Sequence, residues 1–461
     1  MRWSLFKFVA VFILTLTTTA FCQIRNLDFT GGGARAEGMG KAFLGISDDI
    51  SAVSWNPAGL YVHNKPMLGI SYGLFMPRGN YAYRGTTLDQ TGSFNKISYI
   101  GFLSSLRIKG HHFVGAISYS KALDEFFSTA FDSSFTYINP FGSENNAWYR
   151  EASEYSGGPY QLCIGFGTRI YKNISFGFST NIYTGKYFSE ASSYLALENM
   201  VTGDSYNQEI FYEENISVID TTRFSGVNFT LGFKYNTDKI EAGLVFKTPY
   251  DLKVTTDESI YFITMYNGKV KPNWTDTVYN DDVLQKFEIP LIVGLGGGYH
   301  LNENLLLAMD MEYRPYQGQK IKQRTDYSIK PGGEKEETYV ETDPLWQDVF
   351  TLRMGAEYKW HTGFELFPVV PLRLGFAYLP LSSSEIKLDT ITIRDTLYQI
   401  TTTSKTTFYN FSAGLGVHWT QIYLDLAYTY STNDYKNYIL GNNQVLENRY
   451  HHLNLTFTGY F

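Results

Sequence analysis

Two arginines are the side chains in this sequence whose type and spacing best suit the binding of a small molecule. Arg314 and Arg353 lie in neighbouring segments in which apolar and polar residues alternate, and both fall among the polar positions. Alternate side chains of a strand point to opposite faces, so both guanidinium groups would lie on the polar face of one sheet. A guanidinium group can hold a carboxylate through two parallel hydrogen bonds. Arg314 and Arg353 are therefore candidate ligand-binding residues.

The same two arginines could instead serve the fold. Asp310, Glu312 and Glu357 belong to the same polar positions as the arginines. Ion pairs among these groups would stiffen the sheet rather than bind a ligand. The sequence does not decide between an anion-binding fork and a set of structural ion pairs, so both interpretations stay open.

The remaining reactive side chains suggest neither catalysis nor metal binding. His111-His112 and His451-His452 are adjacent pairs, and adjacent side chains on a strand diverge, so neither pair can chelate one ion. The His-Glu-x-x-His motif and the phosphate-binding P-loop do not occur. Cys163 is the only cysteine beyond the first 22 residues, so no disulfide and no thiolate metal site is expected. We expect no catalytic residue, no metal and no cofactor, and therefore a protein that is not an enzyme.

These residues belong to a pattern of alternating apolar and polar side chains that runs from about Met67 to Phe461. In residues 305–314, one set of alternate positions carries Leu, Leu, Met, Met and Tyr, and the other ends in Asp, Glu and Arg. Such a strand has one apolar and one charged face. An outer-membrane β-barrel requires this pattern, because lipid surrounds it and its lumen is polar.

The alternation predicts about fourteen strands joined by alternately short and long connections. The predicted strands are 67–77, 95–108, 112–121, 158–170, 174–187, 224–235, 239–251, 285–300, 304–316, 347–360, 370–380, 405–419, 422–432 and 447–461. Connections such as 109–111 and 171–173 are turn-sized, whereas 122–157 and 188–223 are long and polar. This asymmetry is typical of outer-membrane barrels, whose short turns face the periplasm. The connection 361–369 is expected to be the longer exception on the turn side.

The predicted fold class is all-β, a transmembrane antiparallel β-barrel that occupies residues 67–461. Aromatic residues make up 17% of the chain, and barrels of this kind need them at both membrane interfaces. The alternative, a soluble β-sandwich or propeller, has no blade-length repeat to support it. The formal net charge of −7 and the lack of a basic cluster argue against nucleic acid as a partner.

The first 22 residues have the features of a secretory signal peptide. Arg2 and Lys7 give the positive start, and an apolar core follows at 8–16. Ala20 and Cys22 suit cleavage before residue 23, although a lipoprotein signal with Cys22 as the modified residue is a weaker alternative. No later apolar run approaches the roughly 18 residues that a transmembrane helix needs.

Residues 23–66 are predicted to form a small helical hatch inside the barrel. Alternation is lost in residues 30–62, where small side chains that permit close backbone packing are frequent. Asn56 followed by Pro57 is a capping residue with proline at the first helical position. The alternative is an extension that merely packs under the barrel.

The chain resembles the FadL/TodX family of outer-membrane transporters. The resemblance begins with Gly33-Ala34-Arg35-Ala36 and continues through Asp48-Asp49 to Trp55-Asn56-Pro57-Ala58-Gly59-Leu60. Later matches are Phe287-Glu288-Ile289-Pro290, Arg353-Met354-Gly355-Ala356-Glu357-Tyr358 and Leu372-Arg373-Leu374-Gly375-Phe376-Ala377-Tyr378. The resemblance implies a fourteen-stranded barrel for long-chain fatty acids or aromatic hydrocarbons. It also implies that Asn56, Pro57 and Ala58 belong to a hatch that closes the lumen.

We therefore expect a monomeric outer-membrane protein that takes up a hydrophobic small molecule. Its other partners would be outer-membrane lipid and, during biogenesis, the barrel-assembly machinery. The Asn-Pro-Ala-Gly-Leu motif also occurs in the shuttle protein of the type IX secretion system, so a role in protein secretion or assembly is the main alternative. A structural or adhesive porin-like barrel and a membrane-barrel protease or lipase are further alternatives.

Overall fold

The computed structural model describes residues 31–83, 86–121, 127–138, 144–200, 210–267, 269–329, 335–393, 396–439 and 442–461. The predicted signal peptide, residues 1–22, and residues 23–30 of the predicted hatch lie outside this set. No helix within the described ranges is long and apolar enough to cross a membrane.

Short helices precede a long succession of strands. The helices are α1 (Ala34–Gly38), α2 (Ala52–Trp55) and a 3₁₀ helix (Pro57–Val62). The strands are β1 (Met67–Tyr83), β2 (Thr86–Thr91), β3 (Phe94–Ile108), β4 (His111–Lys121), β5 (Phe127–Ile138), β6 (Glu144–Tyr171), β7 (Ile174–Met200), β8 (Ile210–Asn236), β9 (Ile240–Lys247), β10 (Tyr250–Tyr266), β11 (Lys269–Ile289), β12 (Ile292–His300), β13 (Leu305–Arg314), β14 (Ile321–Ile329), β15 (Lys335–Thr342), β16 (Val349–Phe364), β17 (Phe367–Ile393), β18 (Thr396–His418), β19 (Ile422–Ile439) and β20 (Asn442–Tyr460).

The strands form one antiparallel sheet that closes on itself. β1 pairs with β3 on one side and with β20 on the other, from Met67 opposite Tyr460 to Tyr81 opposite Leu446. The wall has fourteen strand positions, one shared by β9 and β10 and the next by β11 and β12. β2, β5, β14 and β15 extend the wall on the side of the long connections. The predicted all-β antiparallel barrel of about fourteen strands is confirmed.

Prolines interrupt two neighbouring wall strands at the same height. Pro249 lies between β9 and β10, and Pro290 lies between β11 and β12. Proline has no amide hydrogen to donate to a ladder, so the pairing stops and restarts at both positions. The predictions that 239–251 and 285–300 are continuous strands are therefore wrong.

The strands also run further than the alternation predicts. The predicted loops 122–157 and 188–223 contain β5 and large parts of β6, β7 and β8. Strands that extend past the lipid can pair without an apolar face, so their polar sequences do not alternate. On the turn side, β16 and β17 continue to Glu365-Leu366, so the prediction of a long connection at 361–369 is wrong.

The two faces of the wall strands differ as the alternation predicts. On β13, Met309 and Tyr313 are exposed on the outside, whereas Asp310, Glu312 and Arg314 are buried on the inside. The same division holds on β16, where Met354 is exposed and Arg353 is buried. Lipid would meet the apolar face and the lumen would hold the charged one.

The arrangement predicts which end of the barrel faces outward. Glu303 lies in the turn between β12 and β13, and Ser134 is exposed on β5 at the opposite end. A membrane-impermeant maleimide should label Ser134→Cys on intact cells and Glu303→Cys only after the outer membrane is opened. Cys163 is buried, so the unsubstituted protein serves as the background control. Labelling of Glu303→Cys on intact cells would reverse the assigned orientation.

Candidate functional site

The described residues that precede β1, here called the N-terminal segment (31–66), lie inside the barrel. Most of their side chains are buried, including Phe43, Leu44, Trp55 and Leu60. Phe43 and Trp55 meet edge to face with ring centroids 6.0 Å apart. The segment thus has a small apolar centre of its own, although its helices are only a turn or so long.

Asn56 fixes the segment's conformation and its position against the wall. Its side-chain oxygen accepts a hydrogen bond from the Ala58 amide at 3.1 Å, which caps the 3₁₀ helix that Pro57 begins. Its side-chain nitrogen donates to the Leu44 carbonyl at 3.0 Å and to the Phe233 carbonyl of β8 at 3.1 Å. One buried amide therefore joins two parts of the segment to a wall strand.

Glycines on the inner wall let the segment's backbone approach closely. A Cβ atom at Gly177 would lie 2.2 Å from the Ala58 nitrogen, and one at Gly375 would lie 1.9 Å from the Gly40 nitrogen. Both distances are far below van der Waals contact. The absence of a side chain is therefore a requirement of the packing at these wall positions.

Buried charges join the segment to the wall strands that follow β13. Arg35 of α1 forms an ion pair with Asp48 of the segment, and its Nε atom donates to Glu357 Oε2 of β16 at 2.9 Å. Glu357 also accepts from Arg373 Nε of β17 at 2.6 Å, and Arg373 Nη1 donates to Asp425 Oδ1 of β19 at 2.6 Å. We call these five residues the charged network.

Two other carboxylates hold the segment on different sides. Asp310 Oδ2 of β13 accepts the backbone amides of Phe43 and Leu44 at 2.5 and 2.6 Å. Glu37 of α1 accepts a hydrogen bond from Asn454 of β20 at 2.9 Å and lies 3.2 Å from the ring Nδ1 of His452. Burial alone would raise the pKa of Glu37, but these partners and nearby charges hold that pKa below its ordinary value. On both sides, therefore, a carboxylate attaches the segment to the wall through hydrogen bonds.

The predicted ligand-binding arginines are both buried on the inner wall. Arg314 Nε donates to Glu312 Oε1 at 2.6 Å, and Arg353 Nη2 lies 3.8 Å from the same oxygen. Glu312 thus brings the two arginines together. Glu357, which the sequence suggested as another partner, pairs instead with Arg35 and Arg373.

Sequence reasoning missed Arg35 and Arg373 as partners of Glu357. The alternation in Leu372-Arg373-Leu374 places Arg373 on the inner face, so that signal was present. Arg35 lies outside any alternating segment, and only its position in three dimensions reveals the contact.

An apolar group of side chains, here called the aromatic cluster, lies on the inner wall beyond the N-terminal segment. Its buried members are Tyr183, Tyr187, Phe224, Leu252, Val254, Phe287, Ile289, Tyr316, Trp346 and Val349. On β7, Gly177 meets the segment, whereas Tyr183 lies farther from the turn end. The cluster therefore faces the long connections. Arg314 lies opposite Val349, a member of the cluster, in the β13–β16 ladder, so it stands where the cluster meets the buried charges.

Neither a hydrolase nucleophile nor a metal site is supported by the described residues. Residues 69–73 have the Gly-x-Ser-x-Gly spacing of a hydrolase nucleophile, but Ser71 lies within β1 rather than in a strand-to-helix turn. Its hydroxyl lies 2.8 Å from that of Thr456. Within the described ranges, no group of three or more His, Cys, Asp or Glu residues could hold a metal ion.

A family profile matches almost the whole chain. The family described as Outer membrane protein transport protein (OMPP1/FadL/TodX) matches residues 15–458. No curated protein sequence matches the chain significantly.

Solved structures with the same fold share little sequence with this chain. A FadL homologue from Pseudomonas aeruginosa is 13% identical, covers 93% of this chain and 98% of its own, and has a TM-score of 0.57. The toluene transporter TodX from P. putida is 13% identical, with coverages of 94% and 99% and a TM-score of 0.56. The toluene transporter TbuX from Ralstonia pickettii is 12% identical, with coverages of 94% and 99% and a TM-score of 0.53.

The wall glycines predict that a side chain at one of them will displace the N-terminal segment. Gly375→Val should leave a folded, heat-modifiable barrel but expose the segment to trypsin at Lys41. Gly115→Val is the matched control, because a Cβ atom at Gly115 would meet no other atom within 4 Å. Limited proteolysis of both variants in detergent provides the measurement. If the two folded variants resist trypsin equally, close packing at Gly375 does not hold the segment in place.

Proposed function

The chain belongs to the outer membrane transport protein family (OMPP1/FadL/TodX), and from this membership we propose that it takes up hydrophobic small molecules through its barrel. As a member of this family, it is an outer-membrane β-barrel protein. The family's description is that of transport proteins rather than enzymes, in agreement with the expectation that the chain has no catalytic residue. Long-chain fatty acids are the ligand class that we propose first.

The aromatic cluster is the observation that carries this proposal. Tyr183 stacks on the partly buried Tyr250, which packs against the cluster, with ring centroids 5.1 Å apart. Within the cluster, Phe287 stacks on Trp346 with centroids 6.3 Å apart. Binding sites for hydrophobic ligands are lined mainly by apolar and aromatic side chains, with a few polar groups that fix orientation. An aromatic surface inside a barrel, reached from the long connections, suits the capture of such a ligand.

Arg314 and Arg353 are proposed to orient a ligand that carries a carboxylate. Arg314 supports this role better than Arg353, because it borders the aromatic cluster and could meet the head group of a molecule covered by that cluster. Glu312 already pairs with Arg314, so an incoming carboxylate would have to compete with it. An uncharged aromatic hydrocarbon, as the names of TodX and TbuX suggest for those proteins, would need no arginine.

Asn56, Pro57 and Ala58 are proposed to act as part of a hatch that closes the lumen. Asn56 bonds to the wall, and Ala58 packs over Gly177, so movement of this triplet would loosen the segment from both β7 and β8. Passage of a ligand would then require the N-terminal segment to shift or rearrange. We propose a monomer as the working unit, surrounded by outer-membrane lipid and inserted by the barrel-assembly machinery.

The carboxylate role can be separated from a structural role by comparing two ligands of equal length. If Arg314 orients a carboxylate, Arg314→Gln should weaken the binding of palmitate several-fold and leave the binding of hexadecane almost unchanged. Arg353→Gln should show a smaller effect in the same direction. Equilibrium binding to the purified protein in mild detergent provides the measurement.

Arg373→Gln is the matched control, because Arg373 is a buried wall arginine of the charged network. It should affect the two ligands equally. A loss of thermal stability with equal effects on both ligands in Arg314→Gln would assign the arginines to the fold alone. If the unsubstituted protein binds neither ligand, the uptake proposal gives way to the protein-secretion alternative.

A further inference from the structure

We propose that a hydrophobic ligand reaches the aromatic cluster through an open seam in the wall extension, between β15 and the upper part of β17 (residues 379–393). This proposal rests on the proposed uptake function and names the route to the same site. It concerns the part of the barrel that faces the long connections. Three observations support this route: the strand pairing of β15 and β17, the attachment of residues 343–348 beside the seam, and the position of the aromatic cluster behind it.

Strand pairing leaves two neighbouring edges in the extension. β15 pairs with β14, and within the described part of the chain no ladder joins it to a second strand. β17 pairs with β16 only as far as Leu352 opposite Tyr378, and beyond this point its ladder is with β18 alone. β16 begins at Val349 and so cannot fill the space between them. Elsewhere in the wall extension, β5 lies against β2. The edge of β5 is therefore covered, unlike the edge of β15.

Residues 343–348, which link β15 to β16, are hydrogen-bonded to one side of this seam. Asp343 Oδ2 accepts from Lys320 Nζ at 3.0 Å. Asp348 accepts from the Tyr313 hydroxyl at 2.6 Å and from the Gln317 amide at 2.9 Å. All three bonds lead to β13 or to the connection that follows it.

A backbone hydrogen bond at Gln347 crosses to the other side. The Gln347 amide donates to the Ser382 carbonyl of β17 at 2.7 Å. No ladder accompanies this bond among the described residues, whereas a paired strand would cross the same distance with a bond at about every second residue. Separation of the two edges at this point would therefore cost far less than separation of a continuous ladder.

The two residues that precede Gln347 are apolar and connect the surface to the aromatic cluster. Leu345 is exposed and has a φ of 55°, a left-handed conformation that is uncommon for a leucine and is often found at functional positions. Its neighbour Trp346 is buried and packs against Phe287 and Tyr316 of the cluster. A hydrophobic molecule at the seam would meet Leu345 first and Trp346 next.

A reversible crosslink across the seam tests this route. Gln347→Cys with Ser382→Cys should form a disulfide that holds the edges together. Association of 9,10-dibromostearate, followed by stopped-flow quenching of tryptophan fluorescence, should slow at least tenfold in the oxidised variant. Equilibrium affinity should change little, and reduction should restore the original rate.

The matched control is Ser192→Cys with Ser217→Cys. These residues face each other across the continuous β7–β8 ladder, so their disulfide closes no opening. Because Cys163 is buried in all variants, it does not compete for oxidation. Should the seam disulfide fail to form, Gln347→Cys modified with a bulky polyethylene glycol maleimide should slow association in the same way.

The outcomes separate the route from the function. The route is overturned if association is equally fast in the oxidised and reduced seam variants, or in the modified and unmodified Gln347→Cys protein. In that case, binding of the ligand by the unsubstituted protein would still support the proposed function. Slowing in the Ser192–Ser217 control to the same extent also overturns the route. If the unsubstituted protein shows no binding of 9,10-dibromostearate, palmitate or hexadecane, the function fails and the route fails with it.

Discussion

The width of the lumen determines how the interior of this protein must be packed. Closing a sheet of fourteen strand positions pairs the first wall strand with the last, but it leaves an interior wider than the one that side chains fill in an eight-stranded barrel. The N-terminal segment occupies part of this space. To fit, it must bring polar backbone into contact with the wall, and each polar group that leaves water there needs a partner. The small residues of the segment and the inner-wall glycines allow this close contact. The buried charges supply the partners for the polar groups.

The contacts divide the interior into two regions of different chemistry. Around the N-terminal segment, carboxylates accept backbone amides or arginine hydrogen bonds, as Asp310 and Glu357 do. Toward the long connections, the inner wall becomes apolar and aromatic. Arg314 lies at the boundary. A polar anchor beside an apolar surface is the arrangement that an amphipathic ligand would require.

Sequence periodicity predicted the parts of the fold that lipid imposes. The faces of β13 and β16 follow from alternation alone, because lipid selects one face and the lumen the other. Beyond the lipid, alternation no longer marks the strands. β5 and the outer halves of β6, β7 and β8 are polar strands that the sequence analysis predicted to be loops. The breaks at Pro249 and Pro290 were visible as prolines, but only the ladder shows that they fall side by side. Likewise, Asn56-Pro57 signalled a cap, whereas the contact between Arg35 and Glu357 joins residues too far apart in sequence for any local pattern to connect them.

We propose that the N-terminal segment closes a barrel that would otherwise be open. Single-channel conductance in planar bilayers tests it most directly, with the intact protein compared with a variant that lacks residues 31–62. Heat-modifiability on gels would first establish that the variant forms a barrel. We expect little or no conductance from the intact protein and a stable open channel from the variant. Equal conductance of the two folded proteins would contradict it.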